Sequence, residues 1–152
     1  MVAQEKVANF QRSLWAYIES NYSTTPKYFF GLNVNETQGL TEWVEFEWGS
    51  STRRFQRIAA GAGNLVYPIV SAYVYVKPTE DIGRITVIRD AVVDVLHRPV
   101  IPVLDWVGNK APLGNLWGEE IIVDNYLGLE NDVNQWMLSF RFSYQEEMAR
   151  YR

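Results

Sequence analysis

The sequence predicts an α+β fold, in which a mostly antiparallel sheet of about four to five strands carries two helices on one face and a long hairpin arm. Two segments repeat apolar residues at the spacing of an amphipathic helix. Other segments, rich in aromatic and β-branched residues, alternate apolar and polar positions as half-buried strands do. Because the 152 residues contain no repeat, low-complexity block or linker, residues 1–152 are expected to form one domain.

The first helix is predicted before Pro26. Its apolar positions are Val7, Phe10, Leu14, Tyr17 and Ile18. These positions fall on one side of a helix, as expected for a stripe that faces a core. Pro26 disfavours the helical conformation at Thr25, so the polar run that begins at Ser20 should end the helix. An irregular or short extended region is expected from Tyr28.

A second helix is predicted within residues 82–106, between two strands. The residues of its apolar face are Ile85, Ile88, Val92 and Val95. Thr79 is the expected N-cap, because its hydroxyl is able to accept a hydrogen bond from the first turn. Pro99 is expected to end the helix, since proline cannot continue the helical hydrogen bonding. The flanking strands imply that this helix packs across a sheet.

Clear alternation predicts three strands, at residues 43–48, 67–76 and 136–145. Pro68 is expected at the start of the second strand, because a proline inside a strand removes a ladder hydrogen bond. Weaker patterns predict strands within residues 100–107 and 117–126. Residues 127–133 are expected to form a loop, and the charged tail 146–152 is expected to fray.

Most of residues 49–64 is predicted to form a long hairpin arm or a loop, called the arm below, and segments of this length inside a domain are usually functional or disordered. They hold the one local concentration of positive charge, at Arg53, Arg54 and Arg57. Three interpretations stay open: contact with carboxylates of a neighbouring copy or partner, contact with phosphates with Phe55 stacking on bases, and a solvated loop. Because the chain is acidic overall, we favour the protein contact over the phosphate contact.

Composition excludes several classes of protein. The net charge of −4 and the pI of about 5.0 argue against a nucleic-acid binder. The absence of Cys excludes disulfides, thiolate zinc sites and cysteine nucleophiles. No apolar run approaches the roughly 20 residues that cross a bilayer, and the charged N-terminal segment does not resemble a signal peptide. We therefore expect no cofactor and no membrane partner.

A small acid–base enzyme is the alternative from a different class. Asp90 and Asp94 are one helical turn apart, a spacing at which two carboxylates are able to share a cation or a proton. No third ligand is near them in the sequence. His97 is the single histidine, and its place at a helix C-terminus is typical of a capping or surface residue. The sequence therefore predicts no catalytic or metal-binding residues and no enzymatic activity.

The order of elements resembles the tail-terminator, or tail-completion, family of long-tailed bacteriophages. The resemblance covers nearly the whole chain and is one of pattern rather than of a signature motif. The matching pieces are the first helix, the strands with their arm, the helix IGRITVIRDAVVDVLHRP, the extended VIPVLDW, the segment EEIIVDNY and the closing strand WMLSFRFSYQ.

This resemblance implies a structural virion protein at the tail–head junction, assembled in the cytoplasm of the bacterial host. Its subunits would form a hexameric ring that caps the tail tube and stops its polymerisation. The expected partners are further copies of the chain, the tube protein and the head-side connector, with DNA only as cargo passing through the lumen. Such proteins have no catalytic residues to carry over.

Ring contacts are expected from Arg53, Arg54, Phe55 and Arg57 on the arm and from exposed aromatic residues such as Trp43, because arginine and aromatic residues dominate interfaces. Strand addition at a sheet edge is one way in which neighbouring subunits would meet. Another neck or head-closure connector ring is the closest alternative. A tube protein is a further alternative, but it should polymerise rather than stop at one ring.

Overall fold

The computed structural model describes residues 3–29, 39–49, 52–55 and 64–145. These ranges contain two helices, α1 (Ala3–Asn21) and α2 (Arg84–Leu96). Their strands are β1 (Lys27–Phe29), β2 (Glu42–Trp48), β3 (Thr52–Phe55), β4 (Asn64–Tyr67), β5 (Ile69–Val76), β6 (Val100–Leu104), β7 (Pro112–Glu130) and β8 (Val133–Gln145). Neither helix is both long enough and apolar enough, over its described residues, to span a membrane.

Six strands form one curled sheet in the order β1-β2-β5-β8-β7-β6. The β1–β2 pair is parallel, and the other pairs between described strands are antiparallel. The α+β class is confirmed, but the prediction of four to five strands was too low. The missed strand is β1, because three residues are too few to show a period of two.

Both helices contribute to one hydrophobic core on the same face of this sheet. The core residues from the helices are Phe10, Leu14, Ile18, Ile85, Ile88, Val92 and Leu96. The core residues from the three central strands include Val44, Phe46, Val70, Ala72, Val74, Leu138, Phe140 and Phe142. The hydroxyl of Tyr17 in α1 donates to the carbonyl of Val95 in α2 at 2.8 Å, which joins the helices. The predicted apolar stripes therefore face the core, although the side chain of Val7 lies outside the description.

The entry to α2 differs from the prediction. The helix begins at Arg84, with Gly83 at the N-cap and without a side-chain cap, rather than directly after Thr79. The Thr79 hydroxyl instead accepts the Asp81 N–H at 3.1 Å, and the Asp81 carboxylate accepts the Gly83 N–H at 3.0 Å. These two local bonds compete with helical hydrogen bonding and delay the helix by a turn. The exit agrees with the prediction, since His97 is the C-cap and β6 begins after Pro99.

Residues 127–133 form the end of a hairpin rather than the predicted loop. Strand β7 continues to Glu130, which pairs with Val133 of β8. The two turn residues, Asn131 and Asp132, have φ values of 52° and 61°. Two-residue hairpin turns require this left-handed conformation, and Asn and Asp tolerate it. A register shift between Tyr126 and Gly128 interrupts the alternation and hides the strand from sequence reasoning.

Candidate functional site

The arm is a β-hairpin where the structure describes it. Strands β3 and β4 pair antiparallel from Thr52↔Tyr67 to Phe55↔Asn64. Strand β4 then joins the far end of β8, so β3 becomes an edge strand with β4 as its one partner among the described strands. Arg53, Arg54 and Phe55 therefore lie together on an outer strand of the sheet. The predicted contact residue Arg57 lies outside the described residues.

Trp43 does not supply exposed aromatic surface. It is 8% exposed, and its ring stacks on that of Tyr75 with centroids 5.1 Å apart. The two residues are cross-strand partners, so each ring covers the other. Burial raises the pKa of Tyr75, and the neighbouring Glu45 carboxylate raises it further. The expectation that Trp43 is exposed is therefore wrong.

The candidate enzyme residues lie on the solvent side of α2. Asp90 is exposed and accepts a hydrogen bond from the Arg89 guanidinium at 2.7 Å, while Asp94 and His97 are also exposed. Among the described residues, no three His, Cys, Asp or Glu side chains are grouped so that they could hold a metal ion. The structure thus brings no set of reactive side chains together on this helix.

Ion pairs attach the middle of β7 to its neighbours. The Arg89 guanidinium donates to both carboxylate oxygens of Asp124, and the Trp136 indole N–H donates to the same carboxylate at 2.7 Å. The pKa of Asp124 is lowered, mainly because its carboxylate accepts hydrogen bonds from Arg89. Arg141 of β8 contacts Glu119 at 3.3 Å and Glu120 at 2.9 Å. Strand β7 is therefore held to α2 and β8 by three of its carboxylates.

The outer edge of β7 is open over most of its length. The Gly118 N–H donates to the Pro99 carbonyl at 2.7 Å, and beyond it no described strand pairs with this edge. The exposed apolar residues along the open part are Ile122 (42%), Tyr126 (49%), Leu127 (43%) and Leu129 (60%). An open edge with unpaired backbone groups and apolar side chains is a template for pairing with another chain.

The β3 and β7 edges carry opposite charge. From Trp48 to Thr79, the stretch that contains the arm, the sequence has no Asp or Glu. From Ala111 to Phe140, the stretch that contains β7, it has no Lys or Arg. The acids in this second stretch are Glu119, Glu120, Asp124, Glu130 and Asp132. Sequence reasoning located the basic arm but missed the acidic edge, for which the long run without a basic residue was the available signal.

Comparisons with known proteins establish the fold alone. No family model and no characterised protein matches the sequence. By structure, 17 solved chains match. One of them aligns over 100% of this chain and 99% of its own length, with a TM-score of 0.56 and 13% sequence identity. Since one fold hosts many functions, this likeness carries no statement about activity or partners.

Proposed function

We propose that this chain is a structural subunit of a long-tailed bacteriophage, a tail terminator whose hexameric ring caps the tail tube, stops tube polymerisation and joins the tube to the head-side connector. The observation that carries the proposal is the pair of unlike open edges, basic β3 and acidic β7, on one subunit. Two different patches that meet form a heterologous contact, and such contacts close into rings when the rotation between subunits permits.

The order of elements supports the choice of a terminator among ring proteins. An amphipathic first helix, strands that bear an arm, a central helix and a closing pair of long strands follow one another as the resemblance implies. The net charge of −4 fits a ring through which DNA passes as cargo, because like charge leaves phosphates mobile. No catalytic step and no cofactor form part of this proposal.

Light scattering over a concentration series tests ring formation, with electron micrographs of the same samples. The wild-type chain is expected to form closed particles of about six times 17.6 kDa with a central hole. Reversing charge on the arm, with Arg53→Glu and Arg54→Glu together, should reduce assembly while the circular dichroism spectrum stays unchanged.

The matched control is Arg12→Glu with Arg98→Glu, which changes the net charge equally at two exposed positions away from the arm. This control should assemble normally. Equal assembly by the arm variant and the control would remove the arm from the account. Rings that bind DNA-filled heads but not tube ends would indicate the head-closure connector instead.

A further inference from the structure

We propose that the arm is received by the outer edge of β7 on the neighbouring copy, where β3 adds as an extra strand beside residues 123–126. The inference rests on the proposed ring and names the surface that its arm contacts. Both strands have an unpaired edge among the described strands, so each presents a row of backbone N–H and C=O groups. Strand addition satisfies these groups without a change in either subunit's sheet.

The described part of β3 fits a regular stretch of the open β7 edge. Register shifts in the β7–β8 ladder lie between Gly118 and Ile121, between Ile121 and Val123, and between Tyr126 and Gly128. Bulges of this kind bend a strand and interrupt regular pairing. The longest uninterrupted stretch of the open edge, from Val123 to Tyr126, therefore spans four residues, as does the described part of β3.

Charge favours the pairing of β3 with β7 over the pairing of either strand with its own copy. Pairing β3 with β3 would bring Arg53 and Arg54 against their own copies, and pairing β7 with β7 would bring its acids together. Like charges across a strand pair are destabilising, whereas opposite charges stabilise the pair. Glu130 and Asp132, at the hairpin end of the same edge, are exposed and have no cation partner among the described residues, so this end of the edge carries uncompensated negative charge.

Apolar contact also favours the addition of β3 to the β7 edge. Ile122, Tyr126 and Leu127 are all more than a third exposed in the isolated subunit. A strand laid along this edge would remove part of that apolar surface from water, at about 25 cal/mol for each Å² that is covered. The β7 edge thus offers a hydrogen-bonding row, apolar side chains and uncompensated negative charge to one extended basic segment.

Single-cysteine cross-linking tests the contact, because the chain has no native Cys. Rings are formed from a mixture of Thr52→Cys and Tyr126→Cys subunits, the two positions that face each other when β3 pairs antiparallel with residues 123–126, and these rings are exposed to mild oxidation. Neighbouring strands bring Cα atoms within disulfide range, so a linked dimer of the two variants is expected. The control mixture pairs Thr52→Cys with Thr86→Cys, an exposed position on α2. The first mixture should give at least about tenfold more cross-linked dimer, since proximity raises the effective thiol concentration.

Charge exchange provides a second, independent readout. Glu130→Arg with Asp132→Asn, which keeps a residue that tolerates the left-handed turn conformation, should reduce ring formation, and adding Arg53→Glu with Arg54→Glu to the same chain should restore it. Glu19→Arg with Glu80→Arg, two exposed acids elsewhere, should leave ring formation unchanged.

Two outcomes separate this inference from the proposed function. Rings that form normally while both cysteine mixtures cross-link to the same small extent would overturn the β3–β7 contact and leave the ring in place. Absence of rings under all conditions, tube ends included, would overturn the ring proposal and this inference with it.

Discussion

Strands β5 and β7 lie on either side of β8 in the same sheet and have opposite surroundings. Strand β5 pairs along its length with β2 on one side and β8 on the other. Its alternate residues Val70, Ala72 and Val74 are fully buried. Strand β7 pairs with β6 over residues 112–117 and beyond Gly118 with β8 alone, and four of its apolar residues after Gly118 are exposed.

The difference separates apolar residues that build the fold from those available for assembly. In β5 the side chains of Val70, Ala72 and Val74 face the helices, so their burial contributes to the stability of the single subunit. In β7 the exposed apolar side chains contribute little to that stability and lie beside an unpaired backbone edge. We therefore expect substitutions in the core to act on folding and substitutions on the β7 edge to act on assembly.

The largest expected effect comes from a matched pair of leucines. Leu138 is 0% exposed in the core, and Leu129 is 60% exposed on β7. Leu138→Ala should lower the free energy of unfolding by about 2–5 kcal/mol, through lost burial and the cavity that remains. Leu129→Ala should change it by less than about 0.5 kcal/mol, as at ordinary surface positions. Urea unfolding of subunits kept dilute enough to remain monomeric measures both values.

The same two variants also distinguish the core from the β7 edge in the assembly assay. Leu129→Ala should shift ring formation to higher concentration even though its subunit is stable. A Leu129→Ala variant that is as destabilised as Leu138→Ala, or that assembles at the wild-type concentration, would break the distinction between the two strands.

An intermediate effect is expected where β5 meets β8 on the sheet face away from the core. Ser71 and Ser139 are cross-strand partners, both are buried, and their hydroxyl oxygens are 2.9 Å apart. Ser71→Ala should cost about 1–3 kcal/mol, because the Ser139 hydroxyl is left without a partner. Replacing both serines by Ala should cost less than the single change. A double variant less stable than either single variant would show that the hydroxyl pair is not the source of the effect.

The smallest expected effect concerns the attachment of β7 to α2. Asp124→Asn should cost at most about 1 kcal/mol at neutral pH, because the ion pair with Arg89 is partly exposed. Its folded pKa is lowered from an ordinary value of 3.8 by the Arg89 hydrogen bond. The stabilisation is thus fully present above pH 4 and is lost as the pH falls through the folded pKa. Unfolding curves below pH 4 should converge for wild type and Asp124→Asn, and parallel curves would contradict this.

The spacing of apolar residues in the sequence was sufficient to predict a segment's structure where that segment is buried on one face. Phe10, Leu14 and Ile18 on α1 and Ile88 and Val92 on α2 show the helical spacing, and all five are buried. Burial imposes a period on a segment, and that period is visible in the sequence without knowledge of its neighbours.

Periodicity failed where non-local pairing decides the structure. Strand β1 is recruited by its parallel pairing with β2, and bulges obscure the pattern of β7. Whether Trp43 is exposed depends on its cross-strand partner Tyr75, and whether β7 has an open edge depends on where β6 ends. The charge of the arm was visible in the sequence, but its position on an edge strand was not.

Growth of tail tubes in the presence of this chain tests the central claim most directly. Purified tube protein of the same phage would be polymerised with increasing amounts of the chain, and tube lengths would be measured in electron micrographs. The account expects tubes that shorten as the chain is added, each with one ring at a single end. Tubes of unchanged length without rings at their ends would contradict the tail-terminator function.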